Sequence, residues 1–223
     1  MKLDNLFCPS GVLLDMDGLM LDTESTTIPL WQETGRIMGL NITEESALRT
    51  LGRTGPDIRK SMIDDYGEDF PYDAFREKLH LLINEEYEKG INLRPGLLVL
   101  LDRLAAIKIP YAVATSTFRK IALFKLRKAG ILDRFDIIVC GDDVKNGKPA
   151  PDIFLEAARR IGIPPDKCIG FEDSVAGLKG LHSAGIKSVF VKDLVIPGPD
   201  VLACVWRQYT DLAEAAKDIF PDR

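Results

Sequence analysis

Two carboxylates two residues apart, in Asp15-Met16-Asp17-Gly18, stand directly behind the apolar run Gly11-Val12-Leu13-Leu14. If that run is a buried strand, the pair lies where the strand leaves the sheet. A carboxylate held there can act as a nucleophile or as a ligand for a hard cation. Inside a regular strand the two would share one face. In a loop past the strand end the second can swing back over the first, with Gly18 permitting the backbone. The chemistry this suits is phosphoryl transfer. A helix cap or a turn uses the same residues, and a D-x-D-G string arises by chance in roughly a few per cent of chains this long, so the pair needs company.

Three further polar clusters supply it, each behind its own apolar run: Ala112-Val113-Ala114-Thr115-Ser116, then Gly147-Lys148-Pro149-Ala150-Pro151-Asp152, then Ile169-Gly170-Phe171-Glu172-Asp173-Ser174. Singly, Thr115 or Ser116 could end a strand, Lys148 could be a solvated loop lysine, and Asp173 or Ser174 could cap the next helix. Jointly, an acid pair, a hydroxyl, a lysine and a second acid pair assemble a phosphate site.

The elements that must hold these residues follow from the periodicity. After the first strand, a segment without strand signals carries helix-spaced apolar positions over Ile28 to Met38, Glu45 to Leu51, Asp57 to Tyr66 and Tyr72 to Lys89, punctuated by Gly39, Gly52, Gly55-Pro56, Gly67 and Pro71. Arg94-Pro95-Gly96 then returns the chain to alternating elements. Helices are expected at 97–107, 119–129, 151–161, 174–184 and 210–219, and strands at 110–115, 136–140, 167–171 and 187–191. Ile196-Pro197-Gly198-Pro199 reads as a turn. This is an α/β chain with a doubly wound, Rossmann-like parallel sheet and an inserted small all-helical domain. The expected core is 1–23 with 93–223, and the helical domain is 24–92.

Composition excludes several classes. The 223 residues carry 29 basic and 34 acidic side chains, a net charge of −5 with no basic stripe, so no nucleic-acid partner is expected. Cys8, Cys140, Cys168 and Cys204 lie far apart with no C-x-x-C, which argues against a zinc site and suits a reducing compartment. The N-terminus does not read as a signal peptide, and the longest apolar run, Leu97 to Leu101, cannot span a bilayer. A cytoplasmic monomer without a membrane partner is the expectation.

In the order of these motifs, and over nearly its whole length, the chain resembles the haloacid dehalogenase superfamily, and within it the beta-phosphoglucomutase-like phosphatases. Asp15-Met16-Asp17-Gly18 is similar to the first motif of that family, Thr115 to the second, Lys148 with Pro149 to the third and Glu172-Asp173 to the fourth. Leu21-Asp22-Thr23-Glu24 and Gly141-Asp142-Asp143 read like the same subfamily. The resemblance implies a Mg2+ ion held by Asp15, the backbone carbonyl of Asp17, and Asp173, with Glu172 a ligand or its supporting partner. It also implies that Asp15 attacks phosphorus to form an aspartyl-phosphate, and that Asp17 protonates the leaving alcohol and then activates water. Lys148 and Thr115 would neutralise and hydrogen-bond the phosphoryl oxygens.

The helical domain would be a cap with hinges near Asp22-Thr23 and Leu93-Arg94. Ser116, Arg53, Thr27, Trp31 and Arg119 are the candidates for substrate contact, with Thr54 and Phe118 behind them; Trp31 could equally serve packing. The expected substrate is a small phosphomonoester, a sugar phosphate or a nucleoside monophosphate. The nearest rival is a phosphosugar mutase, but the cap histidine of those enzymes falls at Thr27, their cap lysine at Leu82 or Ile83, and their cap-loop arginine at Gly55, with Arg53 offset. These departures favour hydrolysis. A phosphorylated receiver module would carry its aspartate in mid-chain and no helical insert, and a silent phosphate binder would not need the full set of catalytic residue types.

Overall fold

The computed structural model describes residues 7–51 and 55–221. They form two compact units, divided after Leu21 and before Leu93.

The larger unit is built on six parallel strands: β1 (Gly11–Leu14), β2 (Tyr111–Ala114), β3 (Ile138–Val139), β4 (Cys168–Glu172), β5 (Lys187–Val191) and β6 (Arg207–Tyr209). They lie in the order β3-β2-β1-β4-β5-β6. All four residues of β1 are buried, as befits a strand covered on both faces. Its last residue, Leu14, pairs with Val113 of β2 and Phe171 of β4. The strand order reverses between β1 and β4, and the crevice at such a switch point is where open α/β sheets bind ligands.

The numbering of the helices here follows the chain, and the first four belong to the smaller unit. In the larger unit, α7 (Asp152–Ile161) packs on β1, β2 and β3, α8 (Val175–Ser183) packs on β4 and β5, and α5 (Leu97–Ala106) pairs with α10 (Leu212–Ile219). Leu13, Ala112, Val139, Phe154, Ala157 and Leu181 are core residues between sheet and helices. α6 (Arg119–Lys128) follows β2.

Two elements depart from the expectation. A short helix α9 (Pro199–Leu202) and the strand β6 fill a stretch read only as a turn followed by the last helix. β6 is the three residues Arg-Gln-Tyr at the sheet edge, partly exposed, so it carries no apolar run to reveal it. The strand expected at 136–140 is cut to Ile138–Val139, the only pair in register with Val113 and Ala114.

The smaller unit contains α1 (Thr23–Met38), α2 (Glu44–Leu48), α3 (Gly55–Tyr66) and α4 (Tyr72–Glu88) around Ile28, Trp31, Met62, Phe75 and Leu79. α1 begins at Thr23 rather than Ile28, through a stretch whose threonines tie into the helix: Thr26 Oγ1 donates to Asp22 O at 2.8 Å and Thr27 Oγ1 to Thr23 O at 2.9 Å. The ends of this unit meet, with Asp22 N donating to Asn92 O at 2.9 Å, just as Leu21 and Leu93 bridge antiparallel in the larger unit. No helix among the described residues is long and apolar enough to cross a membrane.

Candidate active site

Asp15 is the first residue past β1, its backbone N–H still bonded to Phe171 O at 3.1 Å, so the sheet fixes its position. From β4, Glu172 is wholly buried and Asp173 nearly so. Lys148, from the loop before α7, lies between the two strand ends: its Nζ bonds Asp15 Oδ1 and lies 2.5 Å from Glu172 Oε1. Ligand oxygens of Asp15, Glu172 and Asp173 all fall within 4.8 Å of one another. Sequence reasoning named all four of these residues, and the fold brings them together.

The electrostatics are those of a site short of positive charge. Burial pushes the Asp15 carboxyl up to about 7; Lys148 pulls the other way, but its charge is shared with Glu172, whose own charge raises Asp15 further. Lys148 in turn is raised by its two carboxylates, which outweigh its own burial, and remains an ammonium. Among the described residues, the buried carboxylates Asp15, Glu172 and Asp173 gather at the Lys148 ammonium. Hard oxygen donors with surplus negative charge are the chemistry of a Mg2+ or Ca2+ site, so the residues present fit a divalent cation.

The backbone around them leaves no slack. Gly18 has φ +83° and a Cβ there would fall 2.3 Å from Asp173 Oδ2, so only glycine lets the Asp15–Gly18 loop pass the second acid pair. Glu172 Oε2 accepts from Asp173 N, Ser174 N and Ser174 Oγ at 3.2, 3.1 and 2.9 Å, and Ser174 Oγ caps α8 by accepting from Gly177 N at 3.0 Å. A Cβ on Gly177 would fall 1.8 Å from Glu172 Oε1. Gly177→Ala is therefore expected to cost about 1–3 kcal/mol of stability by overpacking, read as a lower urea midpoint with an unchanged slope.

Thr115 is the first residue past β2, buried, with its N–H on Val139 O at 3.0 Å. Its Oγ1 accepts from Thr117 N at 3.1 Å, which leaves its own proton to donate to an oxygen of a ligand. The Asp17 carboxylate does not join the acid cluster: Oδ1 lies 2.6 Å from Lys125 Nζ and Oδ2 accepts from Thr117 Oγ1 at 2.7 Å.

The remaining candidates are placed as follows. Ser116 is exposed beside Thr115. The Arg119 guanidinium is engaged by Asp143 and by Ile138 O at 2.9 Å, bracing the segment around β3. Phe118 is exposed at the start of α6. In the smaller unit, Trp31 is buried against Phe75, ring centroids 5.4 Å apart, and Thr27 turns its hydroxyl to its own helix. Arg53 and Thr54 lie outside the described residues.

Sequence reasoning missed Thr117, Lys125 and Asp193. Asp193 is buried just beyond β5, 2.8 Å from Arg94 Nη1, and its Oδ2 lies 3.1 Å from where a Gly18 Cβ would be. Its signal was available: an acid closely behind an apolar run, as with Asp15 and Asp173. Lys125 carries no comparable signal, since α6 also holds Arg119, Lys120, Arg127 and Lys128 and Lys128 shares its face one turn on.

The sequence profile of haloacid dehalogenase-like hydrolases matches residues 12–191. Protein CbbY of Rhodobacter capsulatus is 34% identical over 95% of this chain and 97% of its own. A Thermotoga maritima protein named phosphorylated carbohydrates phosphatase is 31% identical over 81% of this chain and 83% of its own. A crystal structure described as a putative beta-phosphoglucomutase from Thermotoga maritima superposes with a TM-score of 0.77 at 27% identity, covering 94% of this chain and 96% of that one.

Proposed function

The chain belongs to the haloacid dehalogenase-like hydrolases, and from this we propose that it is a Mg2+-dependent phosphatase of small phosphomonoesters, sugar phosphates foremost and nucleoside monophosphates second, working through an aspartyl-phosphate on Asp15. The observation that carries the reading is Lys148 bridging Asp15 and Glu172 beside Asp173, at the switch point of the sheet. The phosphorylated carbohydrates phosphatase among the relatives supports the sugar-phosphate class. Four free cysteines, Cys8, Cys140, Cys168 and Cys204, support a reducing, cytoplasmic setting.

Asp15, Asp173 and the backbone carbonyl of Asp17 would hold the ion, with Glu172, already bonded to Lys148 and the Asp173 and Ser174 amides, keeping the cluster in place. Bound there, Mg2+ supplies the charge neutralisation that lets two anions meet. An Asp15 carboxylate oxygen attacks phosphorus as the ester P–O bond breaks, and Asp17 gives its proton to the departing alcohol. Lys148 and the Thr115 hydroxyl stabilise charge on the phosphoryl oxygens. Asp17 then takes a proton from water, which attacks the phosphorus of the acyl phosphate, and inorganic phosphate leaves with Asp15 restored.

The test is phosphate release from sugar phosphates and nucleoside monophosphates, with Mg2+ and with EDTA. A mutase reading is favoured by the 27%-identical putative beta-phosphoglucomutase structure, so beta-glucose 1-phosphate is assayed in parallel for glucose 6-phosphate. Free phosphate upholds the phosphatase; glucose 6-phosphate without free phosphate makes the protein a mutase.

The raised Asp15 carboxyl gives metal binding a pH dependence. Below about 7 the site holds a proton that a cation must displace, so Mg2+ affinity is expected to weaken as pH falls, approaching tenfold per pH unit, and to level off above 7. Calorimetric titration with MgCl2 between pH 6 and 8 measures this, and Asp15→Asn is expected to flatten it.

A further inference from the structure

The Asp17 carboxylate is the one acid of the first motif that the cation site leaves aside, and it is held at both oxygens. Lys125 reaches it from α6, its side chain 14% exposed beside an Asp17 side chain 27% exposed, with Nζ 2.6 Å from Oδ1. Thr117 reaches the other oxygen at 2.7 Å. Thr117 is itself pinned, its N–H on Thr115 Oγ1 at 3.1 Å and its carbonyl accepting from Gly141 N at 3.1 Å. A carboxylate on a loop, with two rotatable bonds, samples several rotamers; a separate donor on each oxygen selects one.

From this geometry we infer that Lys125, with Thr117, is a positioning residue for the acid–base step, fixing the Asp17 carboxylate in the single orientation from which it exchanges its proton. The inference rests on the reading of Asp17 as the acid–base group. Stability gives little reason for the pair, since desolvating two largely buried charges offsets much of their attraction. Geometry gives a larger one. Positioned proton transfer is worth ~10²–10⁴ in rate, and a displacement of about 1 Å can cost ~10²-fold. Lys125 also differs from Lys148 in its ion pairs: Lys148 bonds the nucleophile and Glu172, whereas Lys125 pairs with Asp17.

The experiment measures kcat/KM with Mg2+ for Lys125→Met and Lys125→Arg, alone and combined with Asp17→Asn, on glucose 6-phosphate and p-nitrophenyl phosphate. kcat/KM reports the steps up to departure of the alcohol, and a sugar alkoxide needs the Asp17 proton where p-nitrophenolate does not. Lys125→Met is expected to lower kcat/KM on glucose 6-phosphate by about 10–100-fold and on p-nitrophenyl phosphate by no more than about threefold. Lys125→Arg should recover most of the loss, and in the Asp17→Asn background Lys125→Met should change the rate by less than about twofold, as residues acting through one another are non-additive.

Equal losses on both esters, a full further loss on top of Asp17→Asn, or undiminished activity of Lys125→Met would overturn the inference. Urea unfolding checks that the variants fold, and Lys125→Gln carries the same comparison should the methionine variant not. If Asp17→Asn itself keeps wild-type kcat/KM on glucose 6-phosphate, the acid–base assignment falls and takes the positioning role with it. If only the Lys125 comparison fails, the phosphatase reading stands.

Discussion

Asp15→Asn is expected to lower kcat on any phosphomonoester by about 10⁴-fold or more, because an amide oxygen cannot form the acyl phosphate on which both half-reactions of the proposed mechanism depend. The fold should survive the change. The wild-type carboxyl is buried and raised to about 7, above its unfolded value of 3.8. A carboxyl raised in this way favours the folded state at low pH and is lost as a stabilising group as pH rises through about 7. Asparagine escapes that cost while leaving Lys148 its bond to Glu172, so the unfolding free energy at neutral pH, read from urea titration, should stay within about 1 kcal/mol of wild type. Phosphate release measured beside urea unfolding separates the outcomes: an inactive, folded protein supports Asp15 as nucleophile, and wild-type turnover would end the mechanism.

Lys148→Ala should damage both rate and fold. Its ammonium is 5% exposed between Asp15 and a Glu172 side chain with no exposure. Removing one partner of a buried charge cluster leaves the others uncompensated, at about 3–5 kcal/mol of stability, and removing a donor to the phosphoryl group costs about 10²–10³ in kcat. The two losses respond differently to metal. Under the proposed metal site, saturating Mg2+ would occupy the same acidic cluster and should return part of the stability, about 2.7 kcal/mol at a hundred times its Kd, without returning the rate. Thermal unfolding with and without MgCl2, alongside turnover, reads both. A rate that recovers with the stability would show that Lys148 serves the fold and not the reaction.

How far the site could be read from the chain depends on how each residue announces itself. Asp15, Glu172 and Asp173 stand at or just beyond strands whose apolar runs are continuous, because parallel strands are covered on both faces, and motif order then carries Lys148, which lies in the loop before α7. Lys125 has no such herald: it meets Asp17 across 108 positions of chain, from a helix whose residues include Arg119, Lys120, Arg127 and Lys128, and only packing of α6 decides which cation turns inward. Thr117 was passed over for Thr115 because both hydroxyls follow one run and only the fold shows which of them meets Asp17. β6 escaped because an edge strand needs no apolar character. The start of α1 escaped because Thr26 and Thr27 oppose helix by propensity until their hydroxyls bond the preceding turn. The Trp31 ambiguity was one of context, and its contact with Phe75 gives it a packing partner.

The chain leaves the sheet unit after Leu21 and re-enters it at Leu93 through a single pair of bridged residues. For a segment inserted between such neighbours, each doubling of length adds only about 0.6 kcal/mol of loop-closure cost, since that penalty grows as about (3/2)RT ln n. The helical insert is thus joined to the sheet unit as a cassette: changes in its length between Asp22 and Asn92 are expected to leave the register of β1 with β2 and β4, and with it the placement of Asp15, unchanged.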